Sequence, residues 1–309
     1  MKKILIPVIL AASCLLTQSC YEDYLNDYES PNMGFSYTGQ IRTIVSDNNV
    51  CYVGVSIGGK REINLSEWAC FAIDESLLAG TSYKLLPGEY YSLTDDNMMR
   101  ARRETIFTAD VAVTFNDRFF SDPLTLKNTY ALPLRIMEAS MDGEKADIRE
   151  GGETAVIVFK YISAYSGTYY RVGSEVEVDA EGNVIGDYSN YNDKDLIKNP
   201  TVELSTLSKT SVLRPGVGTS TKGGLNIYVT EVEGAKAYSI RAEGTKGTEL
   251  VDFFGRYALN GDYTFFSGDE VAPQFEMEYT YKVGEQYFRV SEKLVLRQKP
   301  AKDLRVETF

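Results

Sequence analysis

Short apolar runs rich in β-branched and aromatic residues, separated by polar turn signals, recur along most of this chain, which is the signature of β-strands. No long stretch carries a 3.6-residue period, so helices are not expected to build the core. In the first half, Val50–Ile57 is rich in β-branched and aromatic residues, and Gly58-Gly59-Lys60 reads as a turn returning the chain along Arg61–Leu65. Further strands are predicted at Trp68–Ile73, Glu104–Thr108, Val111–Phe115, Tyr130–Ile136 and Thr154–Lys160, with a short helical turn at Asp74–Leu78. Short strands separated by turn signals predict an immunoglobulin-like β-sandwich over 34–160.

The pattern changes at 161. Tyrosines become frequent and the strands lengthen: Val172–Asp179, Val184–Tyr188, Val202–Leu213, Gly224–Val232, Ala237–Glu243, Glu249–Leu259, Glu276–Lys282 and Gln286–Arg297. Eight antiparallel strands suffice to close a small barrel, so 161–309 reads as an antiparallel barrel-like domain, with an open sandwich as the alternative. The fold class is therefore all-β in two modules.

One apolar run does not belong to this scheme. Ile4–Leu16 follows Lys2 and Lys3 and precedes Cys20, and it is too short to span a membrane. Residues 1–19 resemble a bacterial lipoprotein signal peptide, which makes Cys20 the lipidation site. Residues 20–33 are acidic and aperiodic, a tether. Their acidic start is similar to the export tag of Bacteroidetes surface lipoproteins, which implies a lipid-anchored protein of the outer membrane, facing the exterior.

A second resemblance lies in Phe71–Leu78, in Tyr83–Leu93 with its phrase Leu85-Leu86-Pro87-Gly88-Glu89-Tyr90-Tyr91, and in Tyr130–Ile136. These stretches are similar to an uncharacterised N-terminal domain of Bacteroidetes polysaccharide-utilisation lipoproteins. That domain also stands in front of some family-18 glycosidases, and 161–309 looks like its usual lipocalin-like companion. The glycosidase itself is absent: no Asp-x-x-Asp-x-Asp-x-Glu spacing occurs, and the strands after 160 cannot supply a (β/α)₈ barrel. The resemblance implies a carbohydrate partner of unknown class, reached alongside a transporter or other surface lipoproteins.

Composition narrows the chemistry. The 309 residues include no histidine, which removes the usual neutral-pH base and every Ser-His-Asp or Cys-His arrangement. Removing 1–19 takes two lysines and no acid, moving the formal charge from −12 to −14, so nucleic acid is a poor partner. Cys51 and Cys70 would remain in a mature chain, as a disulfide or as two small buried side chains. No zinc spacing and no cofactor motif occurs. Pro215–Gly224 imitates a phosphate loop but has Thr221 before Lys222 where glycine is required, and it reads as a flexible loop.

Two loops carry side chains suited to sugars, which present apolar C–H faces and many hydroxyls. In Gly186–Asp195, Tyr188 and Tyr191 offer flat rings while Asn190, Asn192 and Asp193 offer hydrogen-bonding groups. In Leu259–Asp269, Tyr263 and Phe265 follow a tight Asn260-Gly261 turn, either lining a barrel mouth or packing in its core. Trp68 alternates with Cys70 and is expected on the core face. Together these features predict a non-catalytic glycan-binding lipoprotein. The alternatives are an assembly protein holding a protein partner and a lipocalin-like carrier of a small apolar ligand.

Overall fold

A computed structural model of the chain describes residues 31–309 apart from Ser267 and Asp269. The leader, Cys20 and the tether up to residue 30 lie outside the described residues. Seven main strands build the first module: β1 (Gly39–Val45), β2 (Val50–Gly58), β3 (Trp68–Ile73), β4 (Met98–Ala101), β5 (Thr108–Phe115), β6 (Tyr130–Met141) and β7 (Thr154–Ile162). They run in one ladder, β2-β5-β4-β3-β6-β7-β1, in which β3 joins the two halves by pairing with both β4 and β6. The halves fold over a core in which Val53, Val55 and Ile57 of β2 meet Leu132, Leu134 and Ile136 of β6 and Phe159 of β7.

β6 is buried on both faces for much of its length, as its run Tyr-Ala-Leu-Pro-Leu requires. Its outer face packs Ala131 against Ile41, Val158 and Leu78, the last from the 3-10 turn Glu75–Leu78 whose start is capped by Asp74. The phrase Leu85–Tyr91 has a structural task here. Leu86 enters the core, Pro87 precedes the turn Gly88–Tyr90, and the hydroxyls of Tyr90 and Tyr130 both donate to Asp122 at 3.0 and 2.7 Å.

Several local expectations are corrected. Arg61–Leu65 is not a strand. Asn64 accepts from the Ser66 amide and buried Glu67 accepts from Lys60, closing a loop instead of a hairpin. Residues 104–107 are loop, and β5 starts at Thr108. Trp68 and Cys70 do share a face, but Ala69 and Phe71 hold the core side, so Trp68 is only half-buried. Cys51 and Cys70 are both free thiols.

The second module is a closed antiparallel barrel: β8 (Gly167–Val178), β9 (Thr201–Ser208), β10 (Ser211–Val217), β11 (Ser220–Thr230), β12 (Ala237–Thr245), β13 (Glu249–Ala258), β14 (Gln274–Val283) and β15 (Gln286–Leu296). β15 pairs back onto β8 from Tyr169↔Leu296 to Val178↔Tyr287, which removes any free edge from this seam. The strand membership differs from the sequence reading in two ways that offset. Val202–Leu213 is split by a turn at Lys209-Thr210, and Val184–Tyr188 contributes only a bridge, Val184 to Val178, instead of a barrel strand. The stretch 215–224 is likewise no flexible loop, since β10 and β11 run through it with a tight turn between Val217 and Ser220.

The modules meet at the Lys209 turn. Its carbonyl accepts from the Ser163 hydroxyl at 2.9 Å, its ammonium pairs with Asp117 at 2.9 Å, and it stands 5.2 Å from the Phe120 ring. Beyond the barrel, the chain returns to the first module. Glu307–Thr308 pairs with Gln40 and Ile41 on the open edge of β1, and the Phe309 ring lies 5.4 Å from that of Tyr83.

Candidate functional site

β8 leaves the junction and β15 comes back to it, so the barrel has a near end against the first module and a far end. The far end is sealed from within. Gly216 and Gly218 take positive φ (72° and 50°), which lets the turn fold inward; a Cβ on Gly218 would stand 1.6 Å from the Glu175 carboxylate. Glu292, only 2 % exposed, pairs with Arg214 at 3.0 Å and Arg171 at 3.3 Å and accepts from the Tyr279 hydroxyl at 2.9 Å. Arg214 also donates to the Gly218 carbonyl at 3.3 Å, and Glu175 accepts from the amide and hydroxyl of Thr219, each at 2.7 Å.

Burial alone would raise the Glu292 carboxyl, but the two guanidinium groups outweigh it and hold it below the usual carboxylate range. This carboxylate is therefore held ionised and is unsuited to acid catalysis. Between the two ends, Tyr169, Phe275, Met277, Val290 and Leu294 fill the interior. Side chains occupy the space where a lipocalin would hold an apolar ligand, as in other small barrels.

The near end is open. A cleft of about 590 Å³ lies where the barrel faces the first module, within the roughly 300–1,000 Å³ range of small-ligand sites. Tyr165, Tyr238 and Tyr257 supply its aromatic wall. The Tyr238 and Tyr257 rings are stacked at 20° with centroids 6.5 Å apart, and Tyr165 meets Tyr257 edge-on at 4.9 Å. Asp47 from the first module, Glu231, Asn260 and Glu270 also line it. The Tyr165 hydroxyl donates to Glu231 at 2.5 Å. Burial, aided by Glu231, pushes the Tyr165 hydroxyl up, and burial does the same to Tyr257, so both stay neutral donors.

Lys299 and Pro300, on the segment running back to the first module, complete one wall, with Lys299 paired to Glu270. A second hollow of about 370 Å³, over Asn49, Tyr91 and Asn116, adjoins the cleft and has Ser46, Asp47 and Lys209 in common with it.

The structure does not bring the two sequence-nominated groups together. Tyr188 is 58 % exposed, and Asn190, Asn192 and Asp193 are exposed along an outer strand and loop where Asn190 faces Ser174. The loop is closed on itself, for Asp193 accepts from the Asp195 amide at 2.8 Å while its own amide donates to Asn199 at 2.9 Å. Tyr191 is drawn into the far-end network: its ring lies 4.7 Å from the Arg171 guanidinium and its hydroxyl 3.3 Å from Glu292. At the near end, Phe265 is buried in the barrel core and Tyr263 packs half-buried against it, while Phe266 beside them is 90 % exposed.

Leu259 and Asn260, from the same loop, do line the cleft. Sequence reasoning missed Tyr165, Glu231, Tyr238 and Tyr257, which come from separate strands and loops and meet only through barrel closure. The one available signal was the tyrosine density after 161. Among the described residues, no group of three or more Cys, Asp or Glu side chains is placed to hold a metal ion.

With this geometry in view, residues 18–143 match the model of a protein family described as an N-terminal domain. The matched stretch overlaps the first module. A crystal structure from Bacteroides ovatus, of unknown function, shares the fold: TM-score 0.66, 16 % identity, covering 90 % of this chain and 98 % of that one. A crystal structure called an auxiliary nutrient binding protein, from Bacteroides thetaiotaomicron, covers 86 % of this chain and 95 % of its own at 14 % identity, but superposes only to a TM-score of 0.38. No curated protein matches the chain. The two-module arrangement is thus shared with a Bacteroides protein.

Proposed function

We propose that this protein is a saccharide-binding lipoprotein of a Bacteroidetes glycan-utilisation system, anchored through Cys20 at the outer face of the outer membrane, and that it binds without catalysing. The observation that carries the reading is the near-end cleft, where stacked tyrosines stand beside carboxylate and amide groups. A sugar ring needs an apolar platform for its C–H face and acceptors for its hydroxyls, and both are present. The adjoining hollow beside Tyr91 offers room for a second sugar unit, which suits an oligosaccharide. The lack of histidine favours binding over bond breaking.

Affinity gels cast with a panel of soluble polysaccharides test this directly. At least one should retard the protein, and Tyr238→Ala should abolish the retardation, an effect of about 2 kcal/mol or roughly thirtyfold in Kd. Retention of full binding in that variant would remove the cleft as the site. Labelling of intact cells, compared with a Cys20→Ala variant, tests the anchor.

A second reading, docking to a protein partner, is favoured by one observation: Phe254 on the barrel wall and Phe266 at the near end are both exposed. Cross-linking on intact cells that gave a stable protein partner, with no glycan bound, would support it over the first.

A further inference from the structure

The charges around the cleft say more than that a sugar fits. Two lysines approach it, and both are engaged: Lys209 with Asp117 at 2.9 Å, and Lys299 with Glu270. Two carboxylates remain, Asp47 and Glu231, with no cationic partner among the described residues; Glu231 has only the Tyr165 hydroxyl. The cleft therefore faces its occupant with an excess of acceptors and negative charge, beside the ring of Tyr238. An anionic ligand would meet like charge with no arginine or free lysine to receive it, whereas hydroxyl and ammonium groups would find acceptors and an aromatic face.

From this we infer that the cleft selects neutral and amine-bearing saccharides and rejects uronic or sulfated ones, an inference that rests on the cleft being the saccharide site. The discrimination comes from Asp47 and Glu231, contributed by different modules, so the ligand class is set only when the modules are together.

The test uses the full chain and three oligosaccharides of equal length and the same β-1,4 linkage, made of glucose, glucosamine or glucuronate, alongside neutral, amine-bearing and uronate members of the polysaccharide panel. Calorimetry is run slightly below neutral pH, where the amines are protonated. The amine-bearing ligand is expected to bind at least about tenfold tighter than the uronate at low salt, with the neutral one between, and the gap should narrow as salt screens the site. Asp47→Asn with Glu231→Gln, checked for an unchanged unfolding transition, should narrow the same gap without salt. Equal or tighter binding of uronates, or a preference that ignores both salt and the double substitution, overturns the inference while leaving the saccharide reading in place. Failure of every saccharide, whatever its charge, overturns both.

Discussion

The two ends of the barrel are built from similar material and put to opposite uses. Both gather tyrosines and carboxylates. At the far end, Tyr279, Tyr281 and Tyr191 donate to Glu292 or Glu175, and two arginines neutralise the Glu292 charge inside the protein. At the near end, Tyr238 is only partly covered, and Asp47 and Glu231 face a cleft. The difference lies in what closes each end. An inward glycine turn from the barrel itself plugs the far end, while a separate module stands off from the near end and leaves room. Residue type alone therefore did not mark the site; what separates the ends is that the far-end polar groups are buried against one another while the near-end ones line an opening.

The comparison predicts that changes at the far end affect stability and changes at the near end affect binding. The largest effect is expected from Arg214→Met, which leaves Glu292 partly uncompensated in the interior and should cost about 3–5 kcal/mol in denaturant unfolding. Because Trp68 lies in the first module and the barrel has no tryptophan, its fluorescence should report a transition little changed by that substitution. Tyr238→Ala should do the reverse, lowering affinity while shifting the unfolding midpoint little. A large loss of stability from Tyr238→Ala, or loss of glycan binding from Arg214→Met in protein that remains folded, would erase the distinction between the ends.

Acid sharpens the same contrast. The folded-state pKa of Glu292 lies below its unfolded value, so its contribution is complete above the ordinary carboxylate range, near about 4.3, and fades as pH falls through the lower folded value. The stability difference between the natural protein and Glu292→Gln should therefore shrink below about pH 4. The smallest effect belongs to Tyr188→Ala, within about 0.5 kcal/mol of the natural stability because the ring is exposed and unburdened by the network. If that change weakened glycan binding tenfold, the ligand would have to reach the outer wall, and the near-end assignment would be too narrow.

Much of the architecture was legible because strand alternation is a local signal. The barrel's strand number was readable too, although its membership was not. The turn at Lys209-Thr210 carries no glycine, proline or asparagine, and is held by Ser163, Asp117 and Phe120 from elsewhere in the chain. Val184–Tyr188 has a strand's composition, yet only Val184 bridges to β8, and it is the following Ser189–Tyr191 that pairs beside Gly173–Glu175. Trp68 shows the limit of alternation by itself: the period put it on one face with Cys70, but which face met the core depended on Phe71 and Met99. The Leu259–Asp269 loop was recognisable as a place, not for the residues that line the cleft, since Phe265 satisfies the core and Asn260 faces the opening.

The short returning strand at Glu307–Thr308 has an evolutionary consequence. It covers part of the edge of β1, and Gly39 is obliged to remain glycine because a Cβ there would lie 2.6 Å from the Phe309 carbonyl oxygen. A first module separated from its barrel would bare the Gln40–Ile41 edge, a template on which molecules associate. Gene shuffling that exchanged one half for a foreign partner would have to repair that edge at the same time, so the pair is expected to be inherited as a single cassette.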